Sequence, residues 1–70
     1  MAASENEIKL TAQEQKVLAL MAEGKLCSEI AEELCLTEQT IKWYRMRLRV
    51  KFKASTSSAV IRQAMKQGLL

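Results

Sequence analysis

The chain has 70 residues, a net charge of +3, an apolar fraction of 49% and a charged fraction of 27%, a globular composition with room for one small core. It contains no proline, two glycines, two cysteines and no histidine, which disfavours β architectures built on tight turns, a four-ligand zinc site and histidine-dependent catalysis. No apolar run approaches the roughly 18 residues of a membrane span, so we expect neither a membrane protein nor an enzyme, and no metal or cofactor.

The N-terminal third predicts a leader followed by one amphipathic helix. Residues 1–9 are polar and show no sustained period, so we expect a mobile leader ahead of a domain over 10–70. Thr11 and Glu14 stand three apart, as in a capping box that starts a helix. The apolar period that follows is carried by Val17, Leu18 and Met21. Gly24 is placed to end this helix in the left-handed conformation.

Three further helices follow at short intervals. A short helix over residues 28–34 carries Ile30, Ala31 and Leu34 on one face. Thr37 is the next capping residue, and it predicts a third helix that runs to about Phe52. Its core positions are Ile41, Tyr44, Leu48 and Phe52. The small polar connector over residues 54–58 can cap a fourth helix, which ends at Gly68. The core positions of that helix are Val60, Ile61, Ala64 and Met65.

The second and third predicted helices are spaced as in a helix-turn-helix motif. Ala31 is small enough to let the two helices cross closely, and Ile41 lies early in the second of them. Cys35 occupies the turn position often held by glycine, and we expect the longer turn not to require a left-handed residue there. Cys27 and Cys35 are interpreted as small core residues, with a redox or metal role as the lesser alternative.

Charge is strongly segregated along the chain. Residues 1–40 hold three lysines and eight glutamates, a net charge of −5, whereas residues 41–70 hold eight cations and no acid. Six of these cations fall between positions 42 and 53, within the third predicted helix and its end. Such a block indicates a face that binds a polyanion, with an anionic membrane or a merely solvated face as alternatives.

A helical projection places an apolar strip at the centre of the basic face. With Ile41 pointing to the core, Trp43, Met46 and Val50 point away from it. Lys42 and Lys53 flank this strip on one side and Arg47 flanks it on the other; Arg45, Arg49 and Lys51 fringe the core face. This layout suits a helix in the major groove, where cations reach phosphates and apolar side chains reach thymine methyls. The same strip could instead be a helix-in-groove or oligomer seam.

These residues also carry a family resemblance that covers about residues 10–70. The motifs are Leu10-Thr11-x-x-Glu14-x-x-Val17-Leu18, Ala22-Glu23-Gly24, Glu29-Ile30-Ala31-x-x-Leu34, Leu36-Thr37-x-x-Thr40-Ile41-Lys42, Lys51-Phe52, Val60, Ile61, Ala64 and Gly68-Leu69. Together they resemble the LuxR/GerE-type DNA-binding domain, which is also the output domain of FixJ/NarL-like response regulators. The chain is therefore expected to be an all-α four-helix bundle with a helix-turn-helix, either part of a longer regulator or a short regulator by itself.

The resemblance implies a cytoplasmic, sequence-specific transcription regulator whose third helix enters the major groove of double-stranded DNA. The expected DNA contacts are Ser28, Thr37, Gln39, Thr40, Lys42, Trp43, Arg45, Met46, Arg47 and Arg49. The family pattern assigns DNA contacts to the positions of Thr40 and Lys42, and base-facing positions to Trp43 and Met46. It further implies a weak homodimer on DNA through the fourth helix and a contact with RNA polymerase.

The chain departs from the family pattern at several positions. Leu26-Cys27-Ser28 stands where a capping Ser or Thr and Asn-Lys are usual, so the phosphate contact of that Lys does not carry over. Tyr44 replaces a common His, Met46 replaces a frequent basic residue, and Ser57 replaces the Arg that usually precedes the fourth helix. We expect these changes to alter the preferred DNA sequence more than the fold.

Overall fold

The computed structural model describes residues 8–70, which form four helices and no strand. The helices are α1 (Ala12–Ala22), α2 (Cys27–Leu34), α3 (Glu38–Phe52) and α4 (Ser57–Lys66). The predicted all-α, four-helix fold is thus confirmed. Of the predicted leader, residues 1–7 lie outside the described residues, whereas Ile8 packs against the core and the Lys9 carbonyl accepts a hydrogen bond from Lys51.

Threonine hydroxyls begin three of the four helices. Thr11, Thr37 and Thr56 each accept the backbone N–H three residues on, at 3.1–3.2 Å, which satisfies one of the free amides at each helix start. The carboxylate of Glu14 accepts the Thr11 N–H in return at 3.0 Å. The predicted capping box is therefore confirmed.

All four helices end through the same backbone device, a left-handed residue followed by an N–H that bonds back five residues. Gly24 and Gly68 adopt φ of 86° and 75°, as expected of glycines that end helices. Cys35 and Lys53 adopt φ of 60° and 51° although they carry a Cβ. The expectation that the turn at Cys35 needs no left-handed residue is wrong, because the Leu36 N–H reaches the Ala31 carbonyl at 2.8 Å and only a left-handed Cys35 lets it do so.

The core lies where α3 packs against the three other helices. The buried apolar residues are Val17, Leu18, Leu20, Met21, Ile30, Ala31, Ile41, Leu48, Phe52, Val60 and Ala64. Two predicted core residues are wrong. Met65 is 63% exposed on the outer face of α4, and Cys35 is exposed because the turn carries its side chain outward; Cys27 is half-buried against the core.

The α2–turn–α3 segment has the geometry of a helix-turn-helix. Three residues, 35–37, separate α2 from α3, and the two helices pack directly against each other, with Ala31 buried. None of the helices in the described part of the chain is long and apolar enough to cross a membrane.

Candidate nucleic-acid interface

The outward face of α3 carries the apolar strip that the helical projection predicts. Ile41 and Leu48 are fully buried, whereas Trp43, Met46 and Val50 on the opposite side are 47%, 48% and 71% exposed. The three exposed residues stand at i, i+3 and i+7, so they form one continuous line along the helix. Large apolar side chains in such a line on a small protein mark a surface that meets a partner.

One margin of this strip consists of cations that the protein leaves unengaged. Lys42, Arg49 and Lys53 are exposed, and none of them makes a side-chain hydrogen bond or ion pair to another residue within 8–70. Lys42 and Arg49 line a shallow cleft of about 280 Å³ together with Arg45. Cations placed in this way can meet phosphate groups without first breaking a contact inside the protein.

Arg45 differs from the other cations because it ties α3 to two neighbouring helices. Its guanidinium donates one hydrogen bond to Cys27 Sγ at 2.8 Å and another to Ser57 Oγ at 2.9 Å. Cys27 begins α2 and Ser57 begins α4. The sequence predicts Arg45 as a DNA contact, whereas in the structure its guanidinium joins three helices.

The opposite margin is engaged by one buried carboxylate, that of Glu14 on α1. Glu14 is 1% exposed; it accepts hydrogen bonds from Lys51 Nζ at 2.5 Å and from Arg47 Nε at 3.3 Å. Burial by itself raises the pKa of Glu14, but the bonds from Lys51, the Thr11 backbone and Arg47 outweigh it and hold that pKa below its ordinary value of 4.5. The carboxylate thus stays ionised and anchors α3 to α1.

Arg47 links this anchor to the apolar strip. Its guanidinium carbon lies 4.9 Å from the centre of the Trp43 ring, a cation–π contact. Tyr44 meets the same ring edge-on, with ring centres 5.0 Å apart. Trp43 is therefore held by two neighbours while nearly half of its surface stays open. The sequence predicts Arg47 as a DNA contact beside the strip and does not reveal that it is ion-paired.

The predicted polar contacts lie at helix N-termini on or beside α3. Thr37 caps α3, its hydroxyl lies 2.9 Å from that of Thr40, and Gln39 is exposed in the first turn. Ser28 is exposed in the first turn of α2. Leu26 precedes α2 and offers no side-chain acceptor, so the first amides of this helix point outward with no capping side chain.

Sequence reasoning missed Glu14 as the ionic anchor and Cys27 and Ser57 as the partners of Arg45. A signal for the first was present, because Glu14 precedes Val17 and Leu18 by three and four residues and so shares their buried face. A capping carboxylate on the core side of a helix needs a cation from a packed neighbour. Nothing in the spacing along the chain points to the contacts of Arg45.

Comparison with known proteins agrees with this geometry. Residues 9–64 match the family model described as bacterial regulatory proteins, luxR family. The chain is 34% identical over 62 residues to the quorum sensing-dependent transcriptional regulator RpaR of Rhodopseudomonas palustris, covering 89% of this chain and 26% of that protein. It is 34% identical over 61 residues to the transcriptional regulatory protein MctR of Rhizobium johnstonii, covering 87% and 28%. The chain thus spans about a quarter of the length of these curated relatives.

A solved structure shows the same arrangement of helices. The VqmA dimer of Vibrio cholerae, a LuxR-type receptor structure obtained in the absence of target DNA, superposes with a TM-score of 0.87 at 34% identity. The match covers 93% of this chain and 29% of that one. With the family model spanning most of the chain and the α2–turn–α3 geometry in place, the chain belongs to the luxR family of bacterial regulatory proteins.

Proposed function

We propose that this domain binds double-stranded DNA as the DNA-binding part of a bacterial transcription regulator, with α3 in the major groove. The observation that carries the proposal is the outward face of α3, where the line of Trp43, Met46 and Val50 runs beside the unengaged cations Lys42 and Arg49. The cations are assigned to phosphates, and Trp43 and Met46 to base edges and methyl groups.

The distribution of charge supports one docking face. The eight glutamates lie within residues 1–40, and α3 contains a single acid, Glu38, in its first turn. A polyanion is therefore attracted to α3 and repelled by the exposed glutamates of α2. Thr37, Thr40 and Ser28 stand where α3 and α2 begin, and their hydroxyls and nearby amides suit phosphate oxygens.

A second copy of the chain and RNA polymerase are the further partners of this proposal. We propose that two copies meet weakly through α4 on DNA, since the relative VqmA is described as a dimer and Met65 is exposed on α4. Contact with RNA polymerase and a cytoplasmic location are the expectations that go with a bacterial transcription regulator.

The salt dependence of DNA binding tests the main proposal. Fluorescence anisotropy of labelled 20-base-pair duplexes, measured between 50 and 300 mM salt, should give log K falling with log salt by about 0.9 per phosphate contacted. Lys42→Ala and Arg49→Ala should each reduce this slope by about one and weaken binding to all sequences alike. Lys66→Ala, which removes an exposed cation in the last turn of α4, is the charge-matched control and should leave the slope unchanged.

A flat salt dependence, or no binding to any duplex at 50 mM salt, would contradict the proposal. That result would favour the rival reading, in which the Trp43–Met46–Val50 strip docks on a protein helix. A slope that falls equally in Lys66→Ala and Arg49→Ala would show that binding is unspecific attraction to the whole surface rather than docking of α3.

A further inference from the structure

We infer that α3 selects thymine, through the methyl group on its major-groove edge, rather than guanine, over the base pairs that face Trp43, Met46 and Val50. The inference rests on the proposed function and goes beyond it by naming the base chemistry that the site takes. Three features of α3 support it: the reach of the apolar strip, the engagement of two arginines, and the position of Gln39.

The strip spans several base pairs. Trp43 and Val50 are seven residues apart on one helix, and a rise of 1.5 Å per residue separates them by about 10 Å. Base pairs in B-DNA are stacked about 3.4 Å apart, so the strip can face roughly three of them. The exposed surface of this strip is almost wholly hydrocarbon, aromatic ring and thioether, with the indole N–H as its one strong hydrogen-bond donor.

The only apolar group on the major-groove edges of the bases is the C5 methyl of thymine. A guanine or cytosine edge pressed against this strip would lose water from its acceptors and donors without a partner, which is unfavourable. A thymine methyl in the same place buries hydrocarbon against hydrocarbon. The strip therefore discriminates in both directions, by attraction to methyl groups and by exclusion of unpaired polar edges.

Two of the three arginines beside the strip are already engaged, and the third, Arg49, is assigned to phosphate. Bidentate contact from Arg to guanine is the commonest specific contact in the major groove. Arg47 donates to the buried Glu14 and lies over Trp43, and Arg45 is bound by Cys27 and Ser57. Reading guanine with Arg47 would break its bond to Glu14, and reading it with Arg45 would break the hydrogen bonds that join three helices.

The first turn of α3 supplies a matching polar contact. Gln39 precedes Trp43 by four residues, so it continues the same exposed line toward the helix N-terminus. A glutamine amide pairs with the N6 and N7 edge of adenine. The N6 and N7 edge of adenine and the methyl group of thymine both belong to A·T pairs. Gln39 and the apolar strip together therefore favour A·T pairs.

Replacement of thymidine by deoxyuridine tests this inference, because it removes the methyl group and keeps every hydrogen bond of the pair. A duplex enriched by the protein from a pool with a random core is resynthesised with one thymidine at a time replaced by deoxyuridine. At each thymine facing the strip we expect Kd to rise about fourfold, the effect of burying one methyl-sized group. Thymines outside the footprint of α3 should show no change.

Protein variants assign the effect to the strip. In Met46→Ala and Val50→Ala the ratio of Kd with deoxyuridine to Kd with thymidine should approach one at the thymine that each residue faces. Leu70→Ala is the matched control, because Leu70 is also an exposed apolar residue, at 42%, but follows α4 and lies outside α3; its ratios should equal those of the unsubstituted protein. Far-ultraviolet circular dichroism verifies that each variant is folded.

Two results would overturn the inference while leaving the proposed function intact. One is tight, salt-dependent binding to enriched duplexes whose core contains only G·C pairs, or to enriched duplexes whose Kd does not change when any thymidine is replaced by deoxyuridine. The other is a deoxyuridine effect that persists unchanged in both Met46→Ala and Val50→Ala. Failure to enrich any duplex would instead overturn the proposed function, and this inference with it.

Discussion

Glu14 illustrates how one residue serves a helix and the whole domain. It completes the cap of α1 through Thr11 and anchors α3 through Lys51 and Arg47. Glu14→Gln keeps an oxygen for the cap but removes the negative charge. The side chains of Lys51 and Arg47 are 27% and 45% exposed, so both cations can turn toward water when the charge is lost. We expect the free energy of unfolding at pH 7 to fall by roughly 2 kcal/mol, less than for a fully buried pair.

The same residue predicts how stability depends on pH. Because folding lowers the pKa of Glu14 below 4.5, its contribution is complete above the unfolded-state pKa and is lost as the pH falls through the folded-state value. Urea unfolding at pH 7 and pH 3 should therefore show a smaller loss for Glu14→Gln than for the unsubstituted protein. Glu33→Gln, at an exposed position of α2, is the control. An equal acid-induced loss in Glu14→Gln and the unsubstituted protein would contradict the role of Glu14.

Arg45 and Arg49 separate a structural cation from one that we propose to bind DNA. Arg45 joins α3 to α2 and α4, whereas Arg49 makes no side-chain bond within residues 8–70. Arg45→Ala should lower the free energy of unfolding by about 1 kcal/mol, because two hydrogen bonds of a partly buried charge are lost. Arg49→Ala should leave stability within about 0.5 kcal/mol of the original. Thermal or urea unfolding of both variants measures this difference; equal stabilities would refute it.

At the scale of the elements, the four helix ends show where the sequence is locally strained. Cys35 and Lys53 hold left-handed φ that the two glycines hold without strain. We expect Cys35→Gly to stabilise the domain by roughly 1 kcal/mol, less any entropy that glycine adds to the unfolded chain. Cys35→Ala removes the same thiol but keeps the Cβ, so it should bring no such gain. The urea concentrations at the midpoint of unfolding of the two variants and the unsubstituted protein test this prediction. Equal gains in both variants would mean that backbone strain at Cys35 is negligible.

The start of α2 lacks the threonine cap that begins each of the other three helices. Leu26 is 66% exposed and supplies no cap; the Glu29 carboxylate, which accepts the Leu26 N–H at 2.8 Å, and the bond from Arg45 to Cys27 order this terminus. A polar capping residue is what a helix start normally selects. The open amides instead remain available to a phosphate group, which fits the proposed placement of Ser28 at the DNA backbone.

At the scale of the whole molecule, the surface predicts an assembly that depends on DNA. The outer face of α4 presents Met65 between the exposed cations Arg62 and Lys66. In a two-fold contact these cations approach their copies, and a single ten-residue helix buries at most about 1,200 Å², the lower end of stable interfaces. Repulsion therefore opposes pairing until one duplex holds two copies side by side and raises their effective concentration.

We accordingly expect a monomer at micromolar concentration that pairs on a duplex with two-fold related sites. Sedimentation velocity at 10 µM protein, with and without such a duplex, should show one copy per particle alone and two on the DNA. Met65→Ala should lower the cooperativity of the second binding event and leave binding to a single site unchanged. A tight dimer in the absence of DNA would contradict this prediction.

The sequence by itself determined what depends on neighbours along the chain. Apolar positions three and four residues apart predicted all four helices, and threonine caps and glycines predicted most of their ends, because these interactions lie within one turn. The same period predicted the buried Ile41 and Leu48 and the exposed Trp43 and Met46, since a helix fixes the direction of each side chain. The family motifs, all of them local, predicted the helix-turn-helix.

Only the tertiary structure decided which charges are engaged. Glu14 lies 33 positions before Arg47 and 37 before Lys51, and Arg45 lies 18 and 12 positions from its partners. No periodicity along the chain reports such distances. The exposure of Met65 and the left-handed turn at Cys35 were likewise settled by how α2 and α4 meet α3. A helical projection gives the direction of a side chain, but packing between helices decides whether a cation there finds a partner or stays open to a ligand.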